Sequence, residues 1–92
     1  MHEVSLVHAL FDQADRAVGR HAPGDVRLVR VRVGAMSGVE PELFVTAFDG
    51  VRAERGYAAA ELEIVDVPGI DLILERIELE VADTSIPEVP DV

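Results

Sequence analysis

The chain has 92 residues, 49% apolar and 28% charged, with 18 acidic against 8 basic side chains for a formal net charge of −10. That length holds one small domain rather than two independent cores. The charge argues against nucleic-acid and anionic-membrane partners and leaves metal cations and basic protein surfaces favoured. The absence of cysteine removes disulfides, thiolate metal sites and thiol nucleophiles altogether.

The first element in chain order is an amphipathic helix over residues 3–18. Val4, Val7, Phe11, Ala14 and Val18 recur at alternating spacings of three and four, and Leu6, Leu10 and Ala17 widen the stripe. Gly19 can stop this helix, and Pro23-Gly24 makes a turn. Residues 26–34 read as a strand in which Val29, Val31 and Val33 alternate with Arg30 and Arg32. Val26 and Leu28 break the alternation, as a bulged or twisted start would.

A second helix is expected over residues 41–55. Pro41 suits its first position, Glu42 the positive end of its dipole, and Gly56 its C-cap. Phe44, Ala47, Phe48 and Val51 form its apolar stripe. Strands are expected over 60–67 and 72–81. The latter carries Ile73, Ile77, Leu79 and Val81 on one side, with Glu78 and Glu80 on the other.

The order α-β-α-β-β predicts an α+β fold, a three-stranded, mostly antiparallel sheet with two helices on one face. The last two strands are expected to pair as a hairpin through Pro68–Asp71. Residues 1–81 form the single domain, and the acidic, Pro-containing segment 82–92 is expected to be a flexible tail. No apolar run approaches the ~20 residues of a membrane helix. The N-terminus lacks the regions of a signal peptide, so the expected location is the cytoplasm.

Three patterns carry possible chemistry. Met1-His2-Glu3 sets a free α-amine beside an imidazole, a carboxylate and two backbone amides. Met1 is expected to be retained, because His2 is too large for ordinary Met removal. A nitrogen-rich set of this kind suits tetragonal Ni(II) or Cu(II), with affinity that rises with pH. On chemistry alone, a histidine at position two more often lies in solvent. His8 and Asp12 share a helix face and read as a solvated surface pair, and His21 as a surface residue. Gly34-Ala35-Met36-Ser37-Gly38-Val39-Glu40 is a tight strand-to-helix connection. It lacks a phosphate-binding lysine, and Glu40 and Glu42 repel anions. No nucleophile–base pairing is visible, so an enzyme is the least favoured class.

The Met1-His2-Glu3-x-Ser5 start occurs together with Val29-x-Val31-x-Val33-Gly34, Ser37-Gly38-Val39-Glu40-Pro41-Glu42-Leu43, Ala47-Phe48 and Ala60-x-Leu62-x-Ile64-x-x-x-Pro68. In this combination the chain resembles the nickel-binding domain of the HypA family, over residues 1 to about 68 and again in the closing strand around Leu74–Glu80. The resemblance implies a cytosolic nickel metallochaperone that works with the GTPase HypB. Its target would be the large subunit of nickel-iron hydrogenase, and in some organisms it would also serve urease maturation. Its metal residues would be Met1, His2 and Glu3, with Glu40 at the acidic position near the nickel.

The departure is that the family inserts a zinc domain with two Cys-x-x-Cys pairs where this chain has Pro68-Gly69-Ile70-Asp71. Structural zinc is therefore expected to be absent. The alternative function is a partner-binding or regulatory module that keeps the fold without delivering metal. A homodimer by exchange of the last strand is also expected to be possible, with 68–71 as the hinge.

Overall fold

A computed structural model describes residues 2–80, with His2 described by its backbone alone. The expected tail 82–92 lies outside the described residues.

Helix α1 (His2–Val18) buries Val7, Leu10, Phe11, Ala14 and Val18, the stripe that its spacing dictates. Val4, which the same spacing includes, is 46% exposed, because it lines an open groove beside Leu43 and Ala47 instead of the core. A short 3-10 turn at Pro23–Asp25 leads into β1 (Val26–Gly34). Helix α2 (Pro41–Val51) buries Phe44, Ala47, Phe48 and Val51. Helical turns continue past Val51, with Arg55 N–H donating to Val51 O at 3.2 Å, until Gly56 at φ 92° reverses the chain. Arg52–Gly56 is thus a coiled extension of the helix expected there.

The remaining strands are β2 (Glu61–Val67) and β3 (Leu72–Leu79), and the sheet order is β2-β1-β3. The hairpin expected between the last two strands does not form. β1 lies between them, parallel to β2 and antiparallel to β3, so the sheet is mixed. The reason is burial: β1 supplies Val29, Val31 and Val33, the most apolar strand face in the chain, and the centre is where two neighbours shield it.

The connector Pro68–Asp71 therefore crosses the end of β1. It is held by two backbone bonds of 2.8 Å, from the N–H groups of Gly34 and Met36 to the carbonyls of Asp71 and Gly69, and a third bond of 2.8 Å joins Ala35 N–H to Val67 O at the end of β2. Gly34 is what lets it pass. A Cβ there would collide with the Gly69 carbonyl and lie 2.9 Å from the Asp71 nitrogen.

Register sorts the two faces. Val29 sits beside Leu62 and Ile77, and Val31 beside Ile64 and Leu74, all facing the helices. Arg30 and Arg32 face the open side, where Arg30 Nε donates to Glu63 Oε1 at 3.1 Å. Two register shifts mark β1–β3, one between Val26 and Leu28 and one between Arg30 and Val31. The first is the irregular start signalled by Val26 and Leu28. The second inserts Glu75 as an extra residue in β3 and corrects the face expected there. Leu72, Leu74, Ile77 and Leu79 pack toward the core, whereas Ile73 pairs with Arg32 on the open face and is 42% exposed.

Candidate metal centre at the paired helix N-termini

The N-termini of α1 and α2 meet. Glu3 is only 7% exposed, although glutamate is rarely buried to this degree. Its Oε2 accepts the backbone N–H of Glu40 at 3.5 Å. Glu40 is the N-cap residue of α2, with extended backbone at φ −89° and ψ 112°, and its own side chain makes no cap bond. The Glu3 carboxylate thus reaches the positive end of α2, where an anion is favoured.

The loop that aims Glu40 is the glycine-bounded connection. Gly38 takes φ 81°, and Ser37 Oγ accepts the Val39 N–H at 3.3 Å. Beside Glu3 a groove of about 220 Å³ opens between the helices, lined by Val4, Leu43, Thr46 and Ala47.

Of the four metal residues expected from the sequence, the structure brings Glu3 to the backbone of Glu40. Met1 and the His2 side chain lie outside the described residues. The backbone of His2 opens α1, and the first turn of a helix makes no internal use of its own N–H groups. Among the described residues, no three His, Asp or Glu side chains gather around a metal position.

His8 and Asp12 prove to be more than a solvated pair. Both meet Arg55, which follows α2. Its guanidinium donates to His8 Nδ1 at 3.0 Å, to Asp12 Oδ1 at 2.8 Å and to Asp15 Oδ2 at 3.1 Å. It also lies 5.7 Å from the centre of the Phe11 ring. Since guanidinium has no acceptor, His8 Nδ1 must be the acceptor, and that nitrogen is closed to a metal.

Tyr57, fully buried, stacks on Phe11 at 4.7 Å and donates its hydroxyl to Asp15 Oδ1 at 2.7 Å. Burial, and then the bond to Asp15, push its phenol well above the ordinary tyrosine range. The bonds to the two carboxylates, Asp12 foremost, hold Arg55 still more firmly charged. This cluster was not foreseen. His8, Asp12 and Asp15 visibly share one helical face, but nothing local in the sequence pairs them with residues 55 and 57. His21 is exposed, as expected.

The family model described as "Hydrogenase/urease nickel incorporation, metallochaperone, hypA" matches residues 1–71, from the Met1-His2-Glu3 start to the edge of β3. This chain belongs to the HypA family. A hydrogenase maturation factor HypA from Shewanella baltica strain OS185 is 45% identical over 65 residues, covering 70% of this chain and 55% of the relative. One from Roseiflexus is 33% identical over 92 residues, covering 100% of this chain and 69% of the relative.

The fold is similar to the solution structure of the Ni metallochaperone HypA from Helicobacter pylori, with a TM-score of 0.64 and 26% identity over 83% of this chain and 72% of that one. A second HypA solution structure gives 0.58 and 25%, over 96% and 77%. The chain spans about half the length of the first curated HypA relatives it matches. Its Pro68–Asp71 connector contains neither cysteine nor histidine.

Proposed function

We propose that this HypA-family chain is a nickel metallochaperone. It binds Ni(II) through the Met1 amine, the His2 imidazole and the backbone nitrogens of His2 and Glu3, and releases it during maturation of nickel-iron hydrogenase. The observation that carries this reading is the contact of Glu3 with the backbone of Glu40. It sets the start of α1, with the backbone nitrogens of His2 and Glu3, against the turn that carries Glu40 ahead of α2, which supports a cation site at this end of the fold.

Glu3 and Glu40 then offset the cation's charge rather than form its nitrogen set. Because the amine and amide nitrogens must lose protons to bind, loading strengthens as pH rises. Nickel is cargo here, and no reaction is catalysed. Structural zinc has no part in this reading.

The partners in this reading are the GTPase HypB and the large subunit of the hydrogenase, with urease maturation proteins as a second destination, all in the cytoplasm. Among the described residues no helix is long and apolar enough to cross a membrane.

The test is calorimetric titration of Ni(II) into protein with an unblocked Met1. About one equivalent is expected to bind, and His2→Ala or one residue added before Met1 should each weaken binding by about 10²-fold or more, through loss of nitrogen ligands. Unchanged binding in His2→Ala would sink the site. If the parent chain binds no nickel at all, the reading becomes that of a partner-binding module without delivery.

A further inference from the structure

Among the described residues both β2 and β3 are edge strands, each with a row of backbone groups that no further strand pairs. Their chemistry differs. β2 carries Glu61, Glu63 and Asp66 and no basic residue, so two copies of it would set acid against acid. β3 reads Leu72-Ile73-Leu74-Glu75-Arg76-Ile77-Glu78-Leu79, and the extra residue at Glu75 changes what that sequence means.

In a regular strand Leu74 and Ile77, three apart, would face opposite ways. The bulge returns both to the helix side, so core-facing Leu72 and Leu74 balance core-facing Ile77 and Leu79 about the Glu75-Arg76 midpoint. The strand is therefore self-complementary when laid antiparallel on a copy of itself. Leu72 meets the partner's Leu79, Leu74 the partner's Ile77, and Glu75 the partner's Arg76, each contact occurring twice about the two-fold axis.

The flank of this edge is mainly apolar, with Glu75 and Arg76 the polar groups of its larger groove. Two grooves, of about 250 and 140 Å³, run between α1 and β3, with Ala17 and Ile77 lining one and Leu6 and Ala9 the other. We propose that a second copy of this chain adds antiparallel to the outer edge of β3, giving a two-fold dimer with a continuous six-stranded sheet, three strands from each copy.

The midpoint charges fit this role. The Glu75 side chain makes no hydrogen bond or ion pair with another described residue. Arg76 holds Glu78 at 2.7 Å through one guanidinium nitrogen, which leaves the rest of the fork for the partner's Glu75. Edge pairing also leaves the 68–71 connector untouched. Exchange of β3 between chains would have to break its two bonds to Gly34 and Met36. The proposal stands apart from nickel binding and needs no metal.

The test is sedimentation equilibrium of the full chain at about 100 µM, where a micromolar dissociation constant leaves little monomer. A dimer is expected for the parent. Glu75→Arg makes the midpoint wholly basic and Arg76→Glu makes it wholly acidic. Each alone should raise the dissociation constant at least about tenfold, and an equimolar mixture of the two should restore association as a heterodimer. Far-UV circular dichroism confirms that both variants are folded. A monomeric parent overturns the proposal. So does a dimer indifferent to Glu75→Arg, the result that strand exchange would give.

Discussion

Tyr57 is the residue on which the most local chemistry converges. Its hydroxyl bonds Asp15, its ring stacks on Phe11, and Phe11 stacks in turn on Phe48 at 5.1 Å. Tyr57→Phe keeps the packing and loses one bond to a charged acceptor that is itself half exposed. We expect a loss of about 1 kcal/mol, or about 5 °C in Tm, by thermal denaturation.

The raised phenol also links stability to alkali. Below the unfolded value of about 10 both states hold the proton, and the contribution is complete. Above it the unfolded chain releases the proton while the folded one retains it, so stability falls as pH rises toward the folded value. Tyr57 is the only tyrosine, so tyrosinate absorbance reports it alone. The tyrosinate signal should lag a free tyrosine and appear together with loss of helical dichroism. Titration at the ordinary tyrosine value in a folded chain would contradict this.

At the scale of elements, two connections decide how the helices and strands are held. Arg55 ties the turns after α2 to three residues of α1. Arg55→Ala should cost about 1–2 kcal/mol, because it removes both the hydrogen-bonding fork and its charge over the Phe11 ring. Arg55→Lys should recover less than half of that in urea denaturation, since a single ammonium cannot span two carboxylates and an imidazole.

The other connection is the crossing at Gly34. Gly34→Ala places a methyl where the Gly69 backbone runs, and the carbonyl has no side chain to swing aside. A loss of about 1–3 kcal/mol is expected, the range for forced overpacking. A shift below half a kilocalorie per mole would mean that the crossing is not tight.

Over the whole molecule, charge sets the balance. The acids outnumber the basic residues by ten, and the ion pairs within the fold, such as Arg27–Glu80 and Arg30–Glu63, are partly or wholly exposed. Such pairs contribute about 0–1 kcal/mol each, so net repulsion should dominate the response to salt. Tm is therefore expected to rise between low salt and about 0.15 M, where the Debye length falls to about 8 Å. A fall would show that the specific pairs outweigh the repulsion.

The sequence by itself determined the two helices, the buried faces of α2 and β1, and the family, because these rest on local periodicity and on contiguous motifs such as Met1-His2-Glu3 and Ser37–Leu43. It also marked the start of β1 as irregular, since Val26 and Leu28 break a pattern of period two. Only the tertiary structure decided which strand lies in the centre, because β1 competes with no neighbour in sequence and gains its place by burial on both flanks.

Tertiary structure likewise decided the face of Ile73 through one inserted residue, and the union of His8, Asp12 and Asp15 with Arg55 and Tyr57 across forty or more positions. It also placed Glu3 against the backbone of Glu40. The spacing of 37 residues carries no such information, and the meeting arises because two helices covering one sheet face start from the same end.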